Sequence, residues 1–204
     1  MNKTKSNLEG SNSYKKIIMD IPKFYSINSY HHLYNRGVSR ETIFFEDKDY
    51  KYFLRKMKEY KEKYSIMINC YCLLPNHFHL FVKQLTNEYP ISKFTGNLTN
   101  AYTKGTNKKY GRTGVLFEGR TKNKLIASED YFVWLCKYIL NNPVKAGLVN
   151  QPEEWEYSSA KEYFSLITST LTDIDEMLRR FESIDKFVSF IKTEKVKFDY
   201  SLFF

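Results

Sequence analysis

Along His77-Phe78-His79-Leu80-Phe81-Val82 the odd and even positions differ in character. A strand sends successive side chains to opposite faces. The stretch therefore predicts a strand with Phe78, Leu80 and Val82 on one face and His77 and His79 together on the other. Ile66 to Leu74 predicts a preceding strand, and the short Pro75-Asn76 link predicts an antiparallel hairpin. Upstream, Tyr25, Ile27, Tyr30, Leu33 and Tyr34 predict a first strand from Tyr25 to Asn35, closed by the turn signal Asn35-Arg36-Gly37. Between these strands Asp47 is placed to cap a helix running to about Tyr64, with Tyr50, Phe53, Leu54, Met57 and Tyr64 as its apolar stripe.

A second helix is predicted from Tyr89 to about Tyr110, with Ile91, Phe94, Leu98, Ala101 and Tyr102 facing inward. Gly96 and Gly105 weaken that helix by about 1 kcal/mol each relative to alanine. Gly114 to Ile126 reads as hairpin-like. Ser128 is a good N-cap for a third helix, Glu129 and Asp130 suit its first turn, and Pro143 is placed to stop it. That helix is apolar nearly all round, which predicts close packing against the sheet. Toward the C-terminus Leu171, Ile174, Leu178 and Phe181 form one stripe with Met177 beside it, and Phe187, Phe190 and Ile191 form another. The organisation read from this pattern is a polar, lysine-rich flexible leader over 1–22, one domain over 23–160 and a helical extension over 161–204.

Composition changes the picture in two ways. The chain of 204 residues carries a formal charge of +9 and is rich in aromatics, with 17 Tyr and 16 Phe. A basic, aromatic surface suits a polyanion with π-faces, and single-stranded nucleic acid in particular. Between Ala101 and Leu125 seven basic residues, Lys104, Lys108, Lys109, Arg112, Arg120, Lys122 and Lys124, face one acid, Glu118, with Tyr102, Tyr110 and Phe117 interleaved. Phosphate contact is expected there, and at Arg36. The three cysteines, Cys70, Cys72 and Cys136, lack zinc-ligand spacing, and Cys70 and Cys72 are too close to bridge without distortion. Free thiols, no apolar run after the N-terminal lysines and no apolar stretch of about 18 residues lead us to expect a cytoplasmic chain with no membrane span.

Two constellations can carry chemistry. Imidazole is the commonest protein metal ligand, so His77 and His79 on one face can place two nitrogens on one cation. By softness alone, a histidine-rich site suits zinc or manganese. Tyr138 and Asn142 lie at i, i+4, one turn apart on one helix face. Tyr131 lies two turns before Tyr138 on nearly the same face and is a second candidate nucleophile; the amide one turn later favours Tyr138. His31 and His32 point to opposite faces of the first strand and are read as structural.

These motifs resemble those of the single-tyrosine HUH transposases, closest to the REP-associated tyrosine transposases. The resemblance rests on His32-Leu33-Tyr34-Asn35-Arg36-Gly37 with Ile43-Phe44 and Asp49; on Leu74-Pro75-Asn76-His77-Phe78-His79-Leu80; on Leu116-Phe117-Glu118-Gly119-Arg120; and on Tyr138-Ile139-Leu140-Asn141-Asn142-Pro143-Val144-Lys145-Ala146-Gly147-Leu148-Val149 with Trp155-Glu156-Tyr157-Ser158-Ser159. The four stretches occur in the family's order over roughly residues 25 to 160. His31 departs from the pattern, standing where members more often show tyrosine.

The resemblance implies an α+β fold, an antiparallel β-sheet flanked by α-helices in the manner of RNA-recognition-motif or ferredoxin-like domains. It implies His77 and His79 as metal ligands, Asn142 as the third ligand and Tyr138 as the nucleophile. It also implies Mg2+ or Mn2+, which we rank ahead of zinc. The expected activity is metal-dependent cleavage and rejoining of single-stranded DNA near hairpins, through a 5′-phosphotyrosine link. The expected partner is single-stranded or hairpin DNA, with the chain acting as a monomer or homodimer. The alternatives are a hairpin-binding regulatory protein on the same fold and a replication initiator of the same chemistry.

Overall fold

The computed structural model describes residues 26–168 and 171–193. The leader over 1–22, the predicted start of the first strand at Tyr25 and the last residues of the C-terminal extension lie outside them. Four strands, β1 (Tyr30–Arg36), β2 (Ile66–Leu74), β3 (His77–Gln84) and β4 (Lys122–Ile126), form one sheet in the order β2-β3-β1-β4. All neighbouring pairs are antiparallel. Together with its helices this is the α+β arrangement expected from the sequence.

Helices α1 (Asp47–Lys63) and α2 (Ile91–Tyr110) cover one face of the sheet. Against them pack Leu33 of β1, Ile68 and Leu73 of β2, and Phe78, Leu80 and Val82 of β3. The residue capping α1 is Glu46, not Asp47. Its side chain and that of Asp49 satisfy the first turn reciprocally, and Asp49 Oδ2 accepts the Phe45 and Glu46 amides. Gly105 proves useful to α2: a Cβ there would stand 2.8 Å from the Tyr52 ring, so its absence lets α1 and α2 approach closely.

The other face carries α3 (Glu129–Leu140), which buries Phe132, Leu135, Cys136 and Ile139 against Cys70, Cys72 and Phe81. Ser128 caps it as expected, accepting the Tyr131 amide at 3.3 Å. Pro143 does not end this helix. Asn141 closes α3, and Pro143 sits in the first turn of α4 (Asn142–Lys145), where its missing N–H costs nothing.

One further reading is corrected, and one feature of β2 is new. Gly114–Ile126 is not a hairpin: β4 pairs with β1, while Phe117 makes a single bridge to Gly37. β2 also contains a bulge between Ile68 and Cys70, which exchanges the faces of all later residues. Because of it Tyr71 and Leu73 join the α1/α2 side, and Cys70, Cys72 and Leu74 join the α3 side. All three cysteines are buried and unbridged.

The outer edge of β2 is closed by the Trp155–Ser159 segment. Leu73 donates to the Tyr157 carbonyl at 2.9 Å, Ser159 donates to that of Tyr71, and the Trp155 indole donates to that of Leu73. Next comes α5 (Ala160–Tyr163). In the extension α6 (Asp175–Leu178) is a single turn and α7 (Ile184–Lys192) is longer. Met177, Phe187 and Ile191 are the buried members, on the α3 side, so Met177 is central rather than beside the stripe, while Leu171 joins the α1/α2 core. The extension thus packs against α3. Among the described residues no helix is long and apolar enough to cross a membrane.

Candidate active site

Strand parity puts His32, Tyr34 and Arg36 of β1 on the same face as His77 and His79 of β3, since Tyr34 pairs with His79 and Arg36 with His77. Lys122 and Lys124 of β4 extend that face, opposite Tyr34 and His32. α3 does not cover this end of the sheet completely. It leaves a cavity of about 360 Å³ lined by His77, His79, Tyr34 and Arg36 from the strands and by Tyr138 and Asn142 from the helices.

The two predicted metal-binding imidazoles stand with ring centroids 5.2 Å apart and planes nearly perpendicular. Each has its Nδ1 occupied. The Asn76 amide nitrogen donates to the Arg40 carbonyl, which turns its Oδ1 toward His77 Nδ1 at 2.7 Å. His77 then carries its proton on Nδ1 and bares Nε2. His79 Nδ1 meets His32 Nε2 at 2.9 Å in the interior. Burial, with the Arg36 charge second, pushes the His77 pKa down; burial, with the fields of His32 and His77, pushes that of His79 well below the usual value. Both are neutral at ordinary pH, the form that ligates metal.

Tyr138 lies across the cavity with its ring 5.4 Å from that of His79. The Asn142 amide nitrogen donates to the Tyr138 carbonyl at 2.9 Å, which leaves Oδ1 as the atom available to a ligand. The ammonium of Lys145 stands 4.9 Å from the centre of the Tyr138 ring. Tyr131, the rival nucleophile, does not line the cavity. Lys124 stands over its ring, and burial raises its pKa to about 12.

The predicted phosphate-binding residues separate into two groups. Arg36 and Lys122 line the cavity; Arg36 is paired with Glu118 at its mouth, and Lys122 stands over Tyr34. Lys124 is next to them on β4. Lys104, Lys108, Lys109 and Arg112, on or just after α2, do not line the cavity, and neither does exposed Arg120 in the loop before β4. Lys109 is engaged by Asp49 and Glu46, and Arg112 stands over Phe45.

Among the described residues no three His, Cys, Asp or Glu side chains gather as a metal group. The donors on offer are His77 Nε2, His79 Nε2 and Asn142 Oδ1. Two imidazole nitrogens and one amide oxygen fit a divalent ion, by softness manganese or zinc before magnesium, and leave positions open for phosphate oxygens and water. The sequence reading missed Asn76, Lys145 and His32 as parts of this site. Lys145 had a signal, falling two helical turns after Tyr138, whereas His32 needed the β1–β3 register.

A model of the IS200-like transposases matches residues 25–142, more than half of the chain. The chain belongs to the IS200-like transposase family. The matched span contains His77, His79, Tyr138 and Asn142. The chain is 27% identical over 135 residues to a Haemophilus influenzae protein named as a REP-associated tyrosine transposase, covering 58% of this chain and 76% of that one. The solved structure of a REP-associated tyrosine transposase bound to a REP hairpin superposes with a TM-score of 0.61 at 17% identity, covering 76% of this chain and 93% of that one. At that identity the likeness shows a shared fold.

Proposed function

We propose that this chain cleaves and rejoins single-stranded DNA beside a hairpin, with Tyr138 as nucleophile. The observation that carries the reading is the convergence of His77, His79, Asn142 and Tyr138 on one cavity that also bears Arg36 and Lys122. The neighbour bound to a REP hairpin supports hairpin DNA as the substrate class.

Tyr138 Oη would bond to the scissile phosphorus as the P–O3′ bond breaks. The phenol gives up its proton, and the departing 3′ oxygen takes one up. A free phenol titrates near pH 10 and is a weak nucleophile until its anion is stabilised; Lys145 over the ring supplies positive charge for this. A divalent cation held by His77, His79 and Asn142 would polarise the phosphate and offset charge on the leaving oxygen. Mg2+ and Mn2+ are the ions that the family resemblance favours. Lys122 and Arg36, which line the same cavity, would hold neighbouring phosphates, Arg36 by exchanging Glu118 for DNA. The reverse attack by a 3′ hydroxyl restores the phenol and the strand without ATP, because the phosphoester is kept throughout.

The test is covalent trapping. End-labelled single-stranded hairpins are incubated with Mg2+ or Mn2+ and searched for an SDS-resistant adduct. The adduct is expected to vanish with EDTA and with Tyr138→Phe. Tight hairpin retention with no adduct under either metal would favour the regulatory binding protein instead.

A further inference from the structure

His32 has no part in the chemistry above, yet it is fully buried and its Nε2 meets His79 Nδ1 at 2.9 Å. The ring centroids stand 5.1 Å apart with the planes inclined by only 25°, so the two rings meet edge to edge, as an in-plane N–H···N bond requires. On the far side of His32, Nδ1 is buried with no hydrogen-bond partner. Nearly all buried polar atoms in folded proteins are paired, so an orphan of this kind calls for a reason.

Two neutral imidazoles facing each other share one proton, and two arrangements exist. If His32 Nε2 holds it, His79 must carry its own proton on Nε2, which blocks that nitrogen as a ligand. If His79 Nδ1 holds it, His32 accepts through Nε2 and carries its single proton on the orphaned Nδ1, and His79 Nε2 is bare. Nothing on the far side of His32 selects between the two. His77 differs: Asn76 fixes its proton on Nδ1 whatever is bound.

We infer that His32 is a positioning residue which accepts the Nδ1 proton of His79, so that His79 Nε2 is presented to a divalent cation. The inference rests on the reading of His77 and His79 as the metal-binding pair. Cation binding and the location of the His32–His79 proton are then linked: the loaded site holds the proton on His79 Nδ1, and the empty site can populate both arrangements.

Two measurements on the full chain test this. Mn2+ affinity is read from loss of the free-ion EPR signal, with melting temperatures as a folding control. His32→Leu is expected to weaken Mn2+ about 10- to 100-fold, and His32→Gln, whose Oε1 can accept the same N–H, to recover affinity to within about threefold of wild type. A merely structural role would not be rescued in this way. Equal Mn2+ binding by wild type and His32→Leu overturns the inference while leaving the metal site intact. No Mn2+ uptake by wild type overturns the metal-site reading and this inference with it. The second measurement, histidine-ring 15N NMR of wild type with Mg2+, is expected to show His79 protonated at Nδ1 and His32 at Nδ1. A proton on His79 Nε2 in the loaded protein overturns the inference even if the variants do not fold.

Discussion

The two faces of one sheet have been put to opposite uses. On the α1/α2 side β3 presents Phe78, Leu80 and Val82, all fully buried among Phe53, Met57 and Phe94. On the α3 side the same strand presents His77 and His79, and there the covering helix stops short. Residues adjacent in sequence therefore differ in what they hold up. The dry face supplies apolar burial and tight packing. The wet face carries buried imidazoles that are satisfied through one nitrogen and bare at the other. Only the cavity end of this face is open: further along the same strand Phe81 is buried with Cys70 and Cys72 under α3 in a second apolar core.

One substitution on each face separates the two roles. Phe78→Ala is expected to cost about 3–5 kcal/mol of stability. His77→Ala, one residue away, is expected to cost about 1 kcal/mol, the value of one lost hydrogen bond, yet to abolish metal-dependent adduct formation. Urea unfolding of both variants checks this, and similar losses would show that the faces are not specialised. The next effect is on pH. Burial, with the Lys124 charge second, depresses His32 to about 3, against about 6.5 in an unfolded chain. The unfolded state therefore takes up the proton first, and stability is lost as pH falls through that window and retained above it. His32 alone should cost the metal-free protein about 2 kcal/mol between pH 7 and pH 5; unchanged urea midpoints would mean that the ring is charged in the fold.

Smaller effects separate the cations. Lys145→Met is expected to slow adduct formation by about 3- to 5-fold, the scale of an exposed cation–π contact, without changing hairpin affinity. A change in affinity alone would place Lys145 in binding and not in activation. Lys122→Ala should weaken hairpin binding and lower the salt slope by about 1. Lys109→Ala should leave that slope alone and lower the urea midpoint only slightly, because its charge is already engaged by Asp49 and Glu46 at the surface.

Much of this was legible in the sequence because the signals were local. The alternation through β3 assigned its two faces, the stripe of Tyr50, Phe53 and Met57 assigned α1, and Ser128 marked the start of α3. Tyr138 and Asn142 were paired by helical spacing alone. What stayed hidden depended on register or tertiary contact. The β2 bulge at Asn69 has no sequence signature, yet it decides that Cys72 and Leu74 lie beside the histidines. β4 pairs with β1, a partner that lies some ninety residues away, and not within a local hairpin. His32 is adjacent to His31 in sequence, and only the β1–β3 register shows which of the two reaches the site. The basic run after Ala101 looked uniform, but the fold spends Lys109 on α1 and brings only its β4 end to the cavity.

The central claim is that the cavity face is the reactive one and that Tyr138 is its nucleophile. The most direct measurement is to form the adduct on wild-type protein with an unlabelled hairpin, digest both components and locate the nucleotide remnant by mass spectrometry. The remnant is expected on the peptide containing Tyr138 and is expected to be absent without divalent metal. A remnant on Tyr131, or on any tyrosine outside the cavity, would contradict it.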